Sequence, residues 1–350
     1  MARTVLDTRT LNRALLARQL LLERSRLPVT RAVEKVGGLQ TQYAPSAYIG
    51  LWSRLEGFER PQLTRALEKG QLIQGTLMRV TIHIVSARDY PLLTEAVRRS
   101  RREWWRRVAR DRSLDPEAWD RVASLVREAL AQGPRRRSEL IETLVAGGYR
   151  KEIWEGVGLV VDMVRVPPSG TWERRRADDC GLAEDWVAMT PVSEDDALEH
   201  LVRRYLGGFG PATIGDISSW AGVSITTLRR VVEGMRLSTF NDVEGADLLD
   251  LPRRPIPAPD TPAPVRFLPT WDATLLAHAR RTQILPEEYR SIVFNTKNPQ
   301  SSNTFLVDGA VAGTWKQDGA KVRLEPFAPL PRAIRRELEE EADRLAGFLL

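Results

Sequence analysis

The sequence predicts an α+β chain that is predominantly helical, built of tandem winged-helix (helix-turn-helix) domains and a small C-terminal β module. Three observations carry this expectation. An order of helices followed by a β hairpin recurs along the chain, the segment GPATIGDISSWAGVSITTLRRVVEGM has helix-turn-helix spacing, and a proline-dense stretch introduces a final region of short alternating strands. The units are expected at 1–112, 113–192 and 193–252, with a linker at 253–264 and the β module at 265–350.

Leu11, Leu15, Leu16, Leu20 and Leu22 recur at helical spacing, and TRAVEKV begins a second amphipathic helix with Thr30 as its N-cap, ended by Gly37-Gly38. After the segment from Pro45 to Leu55 and a short helix near Pro61, GTLMRVTIHIVS alternates and is rich in β-branched residues, which reads as a strand or hairpin. The order repeats as PEAWDRVASLVREAL, RRRSELIETLVAGG and EIWEGVGLVVDMV, followed by the polar stretch GTWERRR as a wing. In the third unit ATIGDISSWA is a helix, Gly222 makes the tight turn, and Ser224 caps a helix holding Leu228, Val231 and Val232. LPRRPIPAPDTPAPVRFLP reads as a stiff linker. Asp308-Gly309 is a two-residue hairpin turn, KVRLEPF a further strand, and PRAIRRELEEEADRLAGFLL the closing helix.

At 350 residues with 42% hydrophobic content the chain can bury proper cores. The single cysteine, Cys180, forms no internal disulfide, and with only His83, His200 and His278 beside it a usual zinc cage is excluded, so no metal and no cofactor is expected. Charges interrupt every apolar run before it reaches bilayer length, which places the protein in the cytoplasm with no membrane partner. A net charge of +6 suits a polyanion, because cationic side chains that face phosphates release condensed counterions. Only six of the 52 basic residues are lysine, which favours bidentate phosphate contacts but equally follows from arginine-rich codon usage.

The strongest basic cluster is VRRSRREWWRRVARDR. On a helix Arg99, Arg102, Arg106 and Arg110 form one stripe able to track a phosphate backbone, with Trp104 and Trp105 on the apolar side. Glu103 and Asp111 are too few to neutralise the eight arginines. Gln40 and Gln42 lie two residues apart after the glycine pair, so their carboxamides share a side only if the chain is extended. On a continuous strand Arg79, Thr81 and His83 would form one polar face available to DNA, opposite Met78, Val80, Ile82 and Ile84.

LQTQYAPSAYIGLWSRL, TLMRVTIHIVSARDY, FLPTWDATLL and GTWK together resemble the AlkZ/YcaQ family of winged-helix DNA glycosylases over nearly the whole chain. The family motif of a glutamine, one intervening residue, and a second glutamine or aspartate falls on Gln40 and Gln42, in the glutamine-x-glutamine form of the AlkZ branch. Thr41 stands where that motif usually carries an aliphatic residue. The resemblance implies a monofunctional glycosylase, with Gln40 and Gln42 catalytic, that removes N7-alkylated guanine and related cationic adducts, bulky or cross-linking ones included. Its partner would be double-stranded DNA containing alkylated bases, met by a monomer. Asp89 and Asp272 also match recurrent family positions, with capping or loop ordering as an equal explanation. The alternative is a non-enzymatic winged-helix regulator, which would ordinarily dimerise; no heptad run supports a dimer.

Overall fold

The computed structural model describes residues 3–109, 114–279, 282–295 and 300–350. Arg110 and Arg112, at the end of the basic stretch, lie outside the described residues.

After a short strand β1 (Val5–Leu6), Asp7 starts α1 (Thr8–Arg18) by accepting from the Thr10 N–H at 2.7 Å. Helix α2 (Val29–Lys35) begins one residue before the expected cap Thr30, because Pro28 presets the backbone and has no N–H to satisfy. Gly37 and Gly38, both at positive φ, turn the chain into β2 (Leu39–Gln40). Helices α3 (Ala44–Arg54) and α4 (Arg60–Glu68) follow.

The run expected as a strand or hairpin is a hairpin of β3 (Leu72–Thr76) and β4 (Ile82–Ser86), and the shared strand face of Arg79, Thr81 and His83 is corrected accordingly. Met78–Val80 form a 3-10 turn in which Arg79 and Val80 both adopt left-handed backbone, so the period of two is broken there. The long helix α5 (Tyr90–Ala109) completes the first unit.

The second unit comprises α6 (Pro116–Leu130), β5 (Arg135–Arg136), α7 (Arg137–Ala146), α8 (Trp154–Val157), β6 (Met163–Arg165) and β7 (Asp179–Leu182). The helix expected from EIWEGVGLVVDMV shrinks to the single turn α8. Gly156 and Gly158 weaken a helix there, and the β-branched residues that follow lead into β6. The stretch GTWERRR connects β6 to β7 but folds back, with Trp172 edge-on to Tyr48 at 5.6 Å and to Phe348 at 5.8 Å.

Among the described residues the first two hairpins merge into one six-stranded sheet, ordered β2-β4-β3-β6-β7-β5. The joint is the β3–β6 pairing of Gln74 with Arg165 and Gly75 with Val164.

The third unit holds α9 (Glu194–Phe209), α10 (Ile214–Ala221), α11 (Ile225–Gly234) and a hairpin of β8 (Ser238–Asp242) and β9 (Asp247–Asp250), to which β1 adds in parallel. The expected helix-turn-helix is present, with Gly222 left-handed at the turn and Ser224 accepting from the Thr227 N–H at 3.1 Å. Residues of the proline-dense stretch are docked on α1, where Arg9 donates to the Pro259 carbonyl and Arg13 to that of Thr261, each at 2.7 Å.

The C-terminal region contains β10 (Arg266–Leu268), α12 (Arg290–Val293), β11 (Phe294–Asn295), β12 (Gln300–Ser301), β13 (Thr304–Val307), β14 (Ala310–Asp318), β15 (Lys321–Pro326) and α13 (Arg332–Leu349). Its main sheet is ordered β10-β13-β14-β15, with the Asp308-Gly309 turn held against α1 by ion pairs from Arg9 and Arg13. No helix among the described residues is long and apolar enough to cross a membrane.

A buried bidentate pair ties this region to α3, with Arg54 donating to the two Asp272 oxygens at 2.8 and 2.9 Å. Burial pushes the Asp272 carboxyl up, but Arg54 and Thr274 outweigh burial and hold it below its ordinary value. Asp272→Ala would strand a buried guanidinium. Chemical denaturation should therefore show a loss of about 3–5 kcal/mol, much reduced in the Arg54→Met/Asp272→Leu double variant.

Candidate active site

The glycine pair sets the first glutamine. A Cβ on Gly38 would lie 3.1 Å from Val85, so only glycine lets β2 enter beside β4 at this register, where Gln40 pairs with His83. The Thr41 N–H continues the ladder to the Ile82 carbonyl at 2.9 Å, which keeps the chain extended through the middle of the motif. Gln40 is buried and its Oε1 accepts from Arg79 Nη2 at 2.7 Å. Gln42 is exposed and stands at the rim of a cavity.

That cavity, about 330 Å³, lies between the first two units. The first unit contributes Tyr90, Arg101 and Trp104, and the second contributes Trp154, Asp162 and Arg165. Its size is at the lower end of the range for small-molecule sites, and its lining mixes aromatic faces with cations. Tyr90 is buried, its hydroxyl donates to the Met163 carbonyl at 3.3 Å, and burial pushes it up to about 12, so it remains a neutral phenol at neutral pH. Arg101 donates to the carbonyls of Thr76 at 3.2 Å and Gly158 at 2.9 Å, pinning the two walls together.

The other expected site residues fall into distinct settings. His83 is buried, and burial with the nearby charge of Arg79 lowers it to about 3, so it is uncharged at neutral pH. Its Nδ1 donates to the Thr81 carbonyl at 3.0 Å, and the buried ring is not part of an exposed polar face of the kind expected for a continuous strand. Thr81 is half-buried and donates to the Met78 carbonyl at 2.9 Å, and Arg79 spends its guanidinium on Gln40 and on the Trp220 carbonyl at 2.5 Å.

The described arginines of this cluster divide. Arg98 pairs with Glu95 and Asp162, and Arg101 braces the cavity. Arg99, Arg102 and Arg106 line a groove on the adjacent face of α5. Arg99 is partly neutralised by Glu103 at 3.1 Å, whereas Arg102 and Arg106 are exposed without an ion pair among the described residues. Asp89 is an internal tie, accepting from His200 at 2.9 Å and Arg204 at 2.7 Å, and so fastens the start of α5 to α9. Sequence reading missed Trp154, Arg137 and Arg165, whose place at the cavity depends on the β3–β6 joint; the only local signal was a tryptophan beside two glycines.

Comparison with known proteins bears on this arrangement. The family model described as "DNA glycosylase AlkZ-like" matches residues 33–348, a span that includes the glutamine pair, the hairpin, α5 and the C-terminal sheet. The chain belongs to the AlkZ-like family of DNA glycosylases. It is accordingly a DNA glycosylase, a hydrolase of N-glycosyl bonds. It is 25% identical over 355 residues to an interstrand DNA cross-link repair glycosylase of Streptomyces sahachiroi, covering 94% of this chain and 93% of that protein. Its fold is also that of the solved Streptomyces sahachiroi DNA glycosylase AlkZ, with a TM-score of 0.84 at 21% identity over 99% of this chain and 97% of the other.

Thr41, aliphatic in the usual family motif, is buried here and its hydroxyl has no hydrogen-bond partner among the described residues. Thr41→Val removes an unsatisfied polar group at nearly constant shape. Denaturation should report a gain of about 1 kcal/mol with excision retained; a loss of stability would mean that the hydroxyl is satisfied in solution.

Proposed function

We propose that this glycosylase hydrolyses the N-glycosidic bond of N7-alkylated guanine and related cationic adducts in double-stranded DNA, acting as a monomer with Gln40 and Gln42 as its catalytic residues. The observation that carries the reading is the Gln40-Thr41-Gln42 segment, laddered to β4 through Thr41 and bending at Gln42, which sets one buried carboxamide against Arg79 and the other at the rim of an aromatic, arginine-lined cavity. The match to a cross-link repair glycosylase supports extending the substrates to bulky and cross-linking adducts.

The chemistry suits weakly basic groups. Alkylation at N7 gives the base a positive charge, so the C1′–N bond breaks heterolytically and its electron pair neutralises the departing base. The sugar is left oxocarbenium-like; water bonds to C1′ and its proton passes to solvent. Carboxamides held in place supply fixed dipoles near that developing charge and position the water, without abstracting a proton at the outset. Neither glutamine can form a Schiff base, so the product is an abasic site with no lyase step. Tyr90, Trp104 and Trp154 offer the departing base apolar and aromatic walls.

On this reading Arg99, Arg102 and Arg106 follow the phosphate backbone while Trp104, one face away on the same helix, addresses the lesion. A duplex holding one N7-methylguanine, treated with alkali after incubation, tests the catalytic assignment. Cleavage is expected with wild type and should fall at least about 100-fold in the Gln40→Ala/Gln42→Ala variant at unchanged DNA affinity. Wild-type cleavage rates in that variant would remove both glutamines from the chemistry. Separately, Arg102→Ala/Arg106→Ala should lower the slope of log affinity against log salt by about two, roughly one for each lost phosphate contact; an unchanged slope would take α5 out of the interface.

A further inference from the structure

The turn between β3 and β4 is the most strained segment near the glutamines. Arg79 has φ 52° and Val80 φ 61°, two consecutive residues in the left-handed region, the second of them β-branched. Such backbone persists only where surrounding contacts over-determine it. Those contacts come from the helix-turn-helix. Gly222, at its turn, lies against the strained backbone, so that a Cβ there would be in ordinary van der Waals contact with Arg79, 3.4 Å from its nitrogen, and the Trp220 carbonyl at the end of α10 accepts from Arg79 Nη1 at 2.5 Å. The other arm of the same guanidinium donates to Gln40 Oε1 at 2.7 Å.

We infer that Arg79 is a positioning residue for the glycosylase reaction, using the helix-turn-helix as a fixed anchor to orient the Gln40 carboxamide. A guanidinium has five donors and no acceptor, so an amide facing it must present its oxygen. The contact therefore sets which end of Gln40 faces the arginine and leaves the Nε2 amino group and the second Oε1 lone pair for sugar or water. A carboxamide without that partner would rotate between two nearly equivalent flips, and the fraction of enzyme in the productive one would fall.

The hairpin of this helix-turn-helix unit supports a scaffold role over a reading role. From Ser238 to Asp250 it carries Asp242, Glu244, Asp247 and Asp250 and no lysine or arginine, a poor complement to phosphates. Arg79 is thus assigned inward, to Gln40 and the Trp220 carbonyl, and away from the phosphate backbone.

The inference rests on Gln40 being catalytic, and the experiment separates the two. Single-turnover excision of N7-methylguanine from a duplex is measured for the full chain as wild type, Gln40→Ala, Arg79→Met and the double variant, together with duplex affinity over a range of salt. Arg79→Met is expected to slow excision about 100-fold with affinity and salt slope unchanged, and the double variant should be no slower than Gln40→Ala alone. Millimolar methylguanidinium should restore part of the Arg79→Met rate and none of the Gln40→Ala rate, a response that a merely structural arginine would not give. If Arg79→Met does not fold, Arg79→Lys serves in its place, since an ammonium can keep the charge but cannot span both acceptors with a planar fork. Full excision by Arg79→Met beside an inactive Gln40→Ala would overturn the positioning role, as would losses that multiply in the double variant. A salt slope lowered by about one would instead make Arg79 a phosphate contact. Wild-type excision by Gln40→Ala would defeat the catalytic reading itself.

Discussion

The pairing of β3 with β6 is the constraint on which the site depends. It spans only Gln74 with Arg165 and Gly75 with Val164, yet it makes one sheet of two hairpins that begin nearly a hundred residues apart. Gly75 is needed at the joint: a Cβ there would sit 2.6 Å from the Tyr90 ring, which crosses the strand to reach the Met163 carbonyl. Arg101 then bridges carbonyls on both sides, and Arg98 pairs with Asp162 beyond it. The cavity walls are set by backbone ladders and internal arginines, and the sheet fixes the segments from which Gln42, in the bend after β2, and Trp154, at the start of α8, project.

The same economy governs charge. Burying a guanidinium is costly unless its donors are met; Arg98 meets Glu95 and Asp162, and Arg101 gives both terminal nitrogens to carbonyls while its Nε has no partner among the described residues. On the outer face Arg102 and Arg106 are left to water. A stripe that looks uniform along the chain is therefore two populations, sorted by which side of α5 faces the second unit. Arg102 and Arg106 carry the balance of positive charge toward the groove, while Arg98 and Arg101 hold the scaffold.

Much of the fold was legible. Gly222 and Ser224 mark the helix-turn-helix, Gly37-Gly38 the break before β2, and Asp308-Gly309 the C-terminal hairpin, because each is a local rule of backbone conformation or capping. The failures are where tertiary contact overrides local pattern. Alternation through Arg79, Thr81 and His83 gave no hint of two left-handed residues, since what holds them is Gly222, far along the chain. The segment after Trp154 reads as helix by apolar content, but pairing with β3 and β7 turns its end into a strand. At the site, Gln40 and Gln42 were found through family resemblance; the spacing alone asked for an extended chain, and β2 with its ladder supplies that only through Thr41, before the bend at Gln42. The cavity was invisible because its second wall has no sequence neighbour in the first.

The helix-turn-helix itself distinguishes an enzyme of this kind from a regulator. A regulator must bring its second helix to base edges, which needs a cationic surround able to approach two phosphate strands. Here Arg230 of α11 is engaged by Asp195, the adjoining hairpin is acidic, and the turn is pressed against the β3–β4 loop. An enzyme that acts on a lesion has a different requirement. On the proposed reading a cationic adduct already carries the chemical distinction from undamaged DNA, and selectivity then comes from how well fixed dipoles meet a charge that shifts from base to sugar. If Gln40 is catalytic as proposed, that places the demand on rigidity around it, and a helix-turn-helix packed as an internal buttress meets it better than one turned toward the duplex.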